Sequence, residues 1–326
     1  MNLSNRTYVF FAFKIIVVLA VFYWVLSKSL YHYSSKEIID FQYSIFNNGG
    51  NFLWLAFVLI LMPLNWFIES KKWSISLKGV YKISRISSFK SVLAGVALGI
   101  FTPNRIGEFA GRVLTLPLGH RTQGIFSNAI CSLSQLTTTL VIGSISLIAL
   151  IPNYLIFETN LIVTLVQLIL ATFSILVLLF YTRSSRLLKL ISKIKWLKKI
   201  LNQPALKVKI PKEILPMLLG NSVVRYTVFF LQFVSILTFY EVELNGFFSL
   251  IYIPIIYLTL AIVPTIALSE LGIREGVSIA VLSGISDNTL GIISASFTLW
   301  IINIAIPALF GSLVLLQLKY QSKIAK

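Results

Sequence analysis

Six apolar runs of bilayer-crossing length divide the chain: Tyr8–Leu26, Asn51–Ile68, Gly124–Ile151, Thr159–Tyr181, Ile214–Tyr240 and Gly291–Leu318. A spanning helix needs about 20 mostly apolar residues, so each run predicts one span. Tyr23, Trp24, Trp54, Trp66 and Tyr240 near their ends read as interfacial anchors. Two further apolar stretches are broken in the middle, Ser91–Leu116 by Thr102-Pro103-Asn104 and Phe247–Gly284 by Pro264 and Ser269-Glu270. Only 12% of residues are charged, against about 25% in a soluble domain, and the mean hydropathy is +0.87. A water-soluble enzyme and a disordered chain are both excluded. The first run is longer than a signal-peptide core, and no convincing small-x-small cleavage site follows it, so it is expected to be retained. The single cysteine, Cys131, cannot form an internal disulfide.

Charge placement sets the direction of travel. The net charge of +17 is concentrated in Glu69–Lys90, with Lys71, Lys72, Lys78, Lys82, Arg85 and Lys90, and in residues 182–213, with Arg183, Arg186, Lys189 and seven more lysines. Basic loops stay on the cytoplasmic side, which puts both segments inside. Two complete spans already lie between them, so Ser91–Leu116 is expected to enter from the cytoplasm and return as a re-entrant hairpin. The same parity makes Phe247–Gly284 a hairpin entering from the opposite side, with both termini cytoplasmic.

These expectations give one all-α polytopic transmembrane domain over residues 1–326: six spanning helices plus two re-entrant hairpins. Its halves are an inverted-topology repeat, 1–155 with the hairpin 91–116 and 156–326 with the hairpin 247–284. Many secondary transporters share that plan, with substrate sites on interrupted helices near the midplane. Gly107 and Gly111 follow the first break, and Gly272 and Gly276 follow the second; glycines four apart suit close helix packing. The segment Arg183–Leu201 carries an apolar stripe of Leu187, Leu190, Ile191, Ile194, Leu197 and Leu201, as in a basic helix lying on an anionic leaflet. Its charge is equally read as a plain topology signal.

The charged residues within apolar sequence are Lys14, Arg105, Glu108, Arg112, Arg225, Glu270, Arg274 and Glu275. Lys14 lies in the cytoplasmic part of its span, where it can snorkel. Each of the others costs roughly 2.5–3.5 kcal/mol near the bilayer centre, or about 20 kcal/mol together, if it faces lipid. They must face one another or water. Arg105 with Glu108, Glu108 with Arg112 and Glu270 with Arg274 have the i,i+3 or i,i+4 spacing of helical ion pairs. Internal pairing alone is one reading. The other is a phosphate or carboxylate site, because broken helices leave free backbone N–H groups at their tips beside arginines.

Thr102-Pro103-Asn104-Arg105-Ile106-Gly107-Glu108 with Arg112, the Lys72-Trp73 pair and Leu271-Gly272-Ile273-Arg274-Glu275-Gly276 resemble the transmembrane region of lysylphosphatidylglycerol synthase and its stand-alone flippase-like relatives. The resemblance covers essentially the whole chain. Asn104 stands where the first motif usually has glycine, and Ile266-Ala267-Leu268-Ser269-Glu270 stands where the second has glycines. The resemblance implies a prokaryotic cytoplasmic-membrane protein that translocates a lipid with an anionic or phosphate-bearing headgroup, of aminoacyl-phospholipid or polyprenyl-phosphate type. Arg105, Glu108, Arg112, Arg225, Arg274, Glu275 and Glu270 are its candidate substrate contacts, and Thr102, Pro103, Asn104 and Pro264 shape the tips. With the chain ending at Lys326, no aminoacyl-transferase domain is expected.

Other classes stay open. An ion-coupled carrier of a small anionic solute would use the same hairpins, with Glu108, Glu270 or Glu275 as coupling carboxylate. A membrane partner of a glycosyltransferase or lipid-modifying enzyme would use the arginines structurally. For an enzyme, His32 and His120 form no His-Glu-x-x-His, and Gly-x-Ser-x-Gly and phosphate loops are missing, although Glu108 or Glu275 could act as a base. No cofactor, metal or nucleic acid is expected. The expected partners are membrane lipids, a second copy of the chain or a lipid-synthesising enzyme.

Overall fold

A computed structural model describes residues 34–47, 51–102, 104–154, 160–191, 211–244, 246–263 and 269–324. The expected first span Tyr8–Leu26, Lys14, Pro103 and Pro264 lie outside the described residues. Every regular element within them is helical. In chain order these are α1 (Ser35–Asn47), α2 (Phe52–Ser76), α3 (Arg85–Ile100), α4 (Gly107–Leu114), α5 (Arg121–Tyr154), α6 (Asn160–Ile191), α7 (Ile214–Phe239), α8 (Tyr252–Ile262), α9 (Ser269–Leu282), α10 (Thr289–Trp300) and α11 (Ile306–Ile324). A π-helical turn, Ile301–Ala305, joins the last two.

Among the described residues five segments are long and apolar enough to cross a membrane: Phe52–Ser76, Leu118–Pro152, Leu161–Ser184, Ile214–Phe239 and Thr289–Gln317. They correspond to five of the six expected spans. Their outward faces are apolar, most fully on α6, whose Leu161, Leu165, Leu168, Ile169 and Leu176 are all exposed. That surface is stable only against hydrocarbon. Outside it, α1 opens with a reciprocal cap: the Ser34 N–H donates to Glu37 Oε2 (2.6 Å) and the Glu37 N–H donates to Ser34 Oγ (3.2 Å). The Ser34 backbone bond, helped by its hydroxyl, holds the Glu37 carboxyl below its usual range.

Three boundaries differ from the sequence reading. The first described span does not stop at Ile68: α2 continues to Ser76, because Glu69 and Lys72 find partners inside the bundle and Trp73 and Leu77 join an apolar cluster with Val92, Val96, Val113 and Leu116. The cytoplasmic loop expected over Glu69–Lys90 is therefore shorter. The first hairpin arm begins at Arg85, capped by Ser84, whose Oγ accepts from the Ser87 N–H (3.1 Å). Finally, Arg183–Ile191 continues α6 as one helix instead of starting a separate one, and residues 192–210 lie outside the described set.

The bundle has two distinguishable ends. At one, Tyr81 packs against His120 with ring centroids 5.2 Å apart, the Ser91 and Thr115 hydroxyls share a hydrogen bond, and Tyr181 Oη donates to the Leu215 carbonyl (2.8 Å). At the other, Asn51 Nδ2 donates to Glu241 Oε1 (3.1 Å), Asn288 Nδ2 donates to the Tyr240 carbonyl (3.0 Å) and Phe52 meets Phe239. The α3–α4 hairpin starts and finishes at the first end. The far ends of α8 and α9 lie at the second, where Ile253 and Leu282 share a cluster with Phe239, Val242 and Ile292. The inner ends of the two hairpins meet around a common cavity lined by Asn104, Arg105, Leu260, Ile262, Glu270 and Arg274.

Backbones touch inside the first hairpin. A Cβ on Gly107 would fall 2.2 Å from the Leu98 carbonyl oxygen, and one on Gly111 would fall 2.4 Å from that of Ala94. In return, Gly95 and Gly99 on α3 leave room for the Arg112 and Glu108 side chains, whose Cγ atoms would lie 2.9 and 2.7 Å from an added Cβ. The hairpin is one close-packed unit because two glycines on α4 admit the α3 backbone and two on α3 admit α4 side chains. Gly272 and Gly276 are buried in α9.

Two outcomes are expected. Topology reporters placed at Lys90 and at Thr122 will mark the same face of the membrane; opposite faces would remove the first hairpin. Gly111→Ala forces two helices apart and costs about 1–3 kcal/mol, read as a lowered unfolding temperature in detergent, whereas Gly119→Ala, with open space around it, leaves that temperature unchanged.

Candidate functional site

Glu69 of α2 sits at the centre of the charged residues, 4% exposed. Its Oε1 is 2.8 Å from Arg112 Nη2 of α4, and its Oε2 is 3.3 Å from Lys72 Nζ and 3.2 Å from Arg225 Nη1 of α7. The Cys131 thiol donates weakly to Glu69 Oε1 (3.8 Å). Lys72, with no exposed surface, also donates to Gln135 Oε1 of α5 (3.1 Å), which Arg225 Nη1 reaches at 3.5 Å. One carboxylate thus holds three cations from three helices. Ionised groups in a low-dielectric interior are tolerable only when paired and hydrogen-bonded.

Arg225 is fixed on several sides. Its Nε donates to Asn65 Oδ1 (2.8 Å), and its guanidinium lies 5.6 Å from the Trp66 ring centre and 4.8 Å from that of Phe229, favourable cation–π distances. From Asn65 a chain of amides crosses the bundle: Asn65 Nδ2 donates to Asn303 Oδ1 (3.3 Å), Asn303 Nδ2 to Gln232 Oε1 (3.0 Å) and Gln232 Nε2 to the Val58 carbonyl (3.1 Å). Asn303 belongs to the π turn, a feature frequent at functional positions because it re-aims one side chain.

The hairpin pairs anticipated from spacing all form. Arg105 Nε is 2.7 Å from Glu108 Oε1, Arg112 Nη2 is 3.5 Å from Glu108 Oε2, and Arg274 Nη2 is 3.2 Å from Glu270 Oε1. At the first tip Asn104 and Arg105 have φ of +49° and +56°. Asparagine tolerates this left-handed region better than other non-glycine residues, which explains how Asn104 serves where related motifs carry glycine. Arg105 is strained there, and the tip is held by Thr102, whose Oγ1 accepts from the Gly107 N–H (2.7 Å) and donates to the Gly99 carbonyl (3.1 Å). Strain of this kind persists only where the surroundings enforce it.

Two cavities meet at this tip. One, of about 350 Å³, is lined by Trp66, Glu69, Glu108, Arg112, Gln135 and Arg225; the other, of about 330 Å³, by Glu270, Arg274 and the end of α8; Asn104, Arg105 and Ala261 line both. The structure therefore brings Arg105, Glu108, Arg112, Arg225, Glu270 and Arg274 to one cleft. Glu275 is buried but lines neither cavity. Sequence reasoning missed Glu69, and it placed Lys72 in a loop. The signal was Asn65, Glu69, Lys72 and Ser76, spaced by four, three and four residues on one helical face.

Chemically, the cleft presents more cations than carboxylates inside an apolar bundle, an arrangement that attracts an anion. A family model described as the lysylphosphatidylglycerol synthase TM region matches residues 11–311, nearly the whole chain. No curated protein and no solved structure matches it.

Replacing Glu69 by Gln leaves Lys72, Arg112 and Arg225 facing one another and is expected to cost about 3–5 kcal/mol of stability. Adding Lys72→Met to that variant restores part of the loss, since the two sites are directly coupled. Thermal unfolding of the purified single and double variants in detergent reads both, and a native unfolding temperature for Glu69→Gln would remove the hub.

Proposed function

The chain belongs to the family of the lysylphosphatidylglycerol synthase TM region, and on that premise we propose that it moves a lipid with a phosphate-bearing headgroup between membrane leaflets. The observation that carries this reading is the cleft where two hairpins from opposite ends of the bundle meet, lined by arginines. In a bilayer the hairpins are re-entrant and, with Tyr8–Leu26 as the sixth span, the halves form an inverted repeat whose interrupted helices meet at midplane. The end carrying Lys78, Lys82, Arg85, Arg121 and Lys212 faces the cytoplasm, and both termini lie on that side of a prokaryotic inner membrane.

Arg105, Arg112 and Arg225 receive the phosphate, because a guanidinium offers several directed donors and keeps its charge at any accessible pH. Glu69 and Glu108 hold these arginines in place. Acyl chains remain in the hydrocarbon along the apolar exterior while the headgroup passes through the cleft. Only the headgroup needs a polar route. The protein acts without catalysis, on lipids made by a separate enzyme.

A second reading, ion-coupled carriage of a small anion, draws on Glu275. It is 8% exposed and has neither an ion pair nor a hydrogen bond among the described residues, as expected of a carboxyl that takes and gives a proton.

In vesicles reconstituted with purified protein, dithionite bleaching of fluorescent phospholipids will show inner-leaflet lipid becoming accessible, and Arg225→Gln will slow this by about tenfold or more, the loss of one buried charge-assisted contact. No acceleration over empty vesicles overturns the lipid reading. Transport of a soluble anion that follows an imposed pH difference, and loses that dependence in Glu275→Gln, establishes the second.

A further inference from the structure

The two cavities contain a charge imbalance with a specific pattern. Arg105, Arg112, Arg225 and Arg274 line the joined cleft, and Lys72 stands behind its wall on Glu69; against Glu69, Glu108 and Glu270 the ion-paired set carries an excess of two positive charges. Every carboxylate is already engaged. Glu69 holds Lys72, Arg112 and Arg225, Glu108 holds Arg105 and Arg112, and Glu270 holds Arg274. The donors are not used up: Arg105 Nη2, Arg112 Nε, Arg274 Nε and Trp66 Nε1 are buried in the cleft wall without an acceptor among the described residues. Leaving such groups unmatched costs about 1–3 kcal/mol each. An incoming anion relieves that cost. An incoming ammonium finds no unpaired carboxylate on the cleft wall and meets a net positive surround.

We infer that the cleft takes a phosphomonoester or diphosphate group bearing two negative charges and no amine, in preference to the aminoacyl headgroup that the family name suggests. This rests on the lipid reading above for the source of the phosphate, but the chemistry is the same for a free phosphate. Two negative charges match the excess of two. A phosphodiester matches half of it, and an aminoacyl ester of phosphatidylglycerol, with two ammonium groups and one phosphate, adds to it. Arg105 is the charged residue common to both cavities. Its side chain is 28% exposed, so its replacement is milder than that of the buried Arg112.

The test uses the full chain in nanodiscs of phosphatidylcholine, doped in turn with phosphatidic acid, phosphatidylglycerol or its lysyl ester, and with inorganic phosphate or glycerol 3-phosphate added in solution. Binding is read by competition against a spin-labelled phosphatidic acid. One further charge-assisted contact corresponds to about tenfold in affinity, so phosphatidic acid is expected to bind about tenfold tighter than phosphatidylglycerol, with no competition from the lysyl ester. Arg105→Gln is expected to bring the first two within about threefold while leaving the unfolding temperature near native; Arg274→Gln, which leaves Glu270 unopposed, is the second variant and should shift the same ratio. Equal binding of phosphatidic acid and phosphatidylglycerol, or competition by the lysyl ester, overturns the inference and leaves the lipid reading standing. Competition by inorganic phosphate or glycerol 3-phosphate with no lipid preference supports the dianion chemistry and overturns the lipid reading.

Discussion

One carboxylate, Glu69, makes the rest of this arrangement possible. It is placed by α2, but the cations it holds come from α2, α4 and α7, and Gln135 adds α5 through Lys72. A carboxylate alone in an apolar bundle is untenable, and so are three isolated cations. Only the assembled cluster is acceptable, which means that the relative positions of four helices are set by charge neutralisation as much as by apolar packing. Membrane helices gain little from the hydrophobic effect when they associate with each other. A shared ionic centre supplies what that effect supplies to a soluble core.

The hairpin charges reach the centre because glycine removes everything in their way. Gly95 and Gly99 form a channel across α3 in which the Arg112 and Glu108 stems run, while Gly107 and Gly111 bring α4 against the α3 backbone. Gly311 of α11 repeats the device from outside, since a Cβ there would fall 2.0 Å from the Leu93 carbonyl oxygen. The first hairpin is thus clamped between α11 and its own second arm. Its tip accepts left-handed backbone at two consecutive residues, Asn104 and Arg105, and that strain is tolerable because the base is so firmly held.

Much of this could be read in the residues, and the exceptions have two causes. Apolar runs gave the five long helices, and the i,i+3 and i,i+4 spacings gave the pairs at Arg105, Glu108, Arg112, Glu270 and Arg274, because both signals are local. Glu69 and Lys72 escaped because hydropathy ends a span at its first charges, and their partners Arg112, Gln135 and Arg225 are distant in the chain. Helical phase was the better guide there: Asn65, Glu69 and Lys72 keep one face even as the composition turns polar. The left-handed tip and the π turn escaped for a different reason. Ile301-Ile302-Asn303-Ile304-Ala305 has the composition of any apolar helix, and the partners that Asn303 meets within its widened turn, Asn65 and Gln232, are distant in the chain.

That widened turn has a mechanical meaning. One residue inserted into an α-helix rotates everything beyond it by about 100°, so the π turn lets one continuous rod present two unrelated faces. Before it, α10 shows Ile292, Ala295 and Leu299 to the apolar cluster; after it, α11 shows Gly311 to the first hairpin. If the turn relaxed to ordinary α-helix, Asn303 would leave its amide partners and Gly311 would swing away from Leu93 in the same movement. The polar chain across the bundle and the clamp on the hairpin are therefore geared to a single backbone defect, and what disturbs one at the centre is felt by the other at the flank.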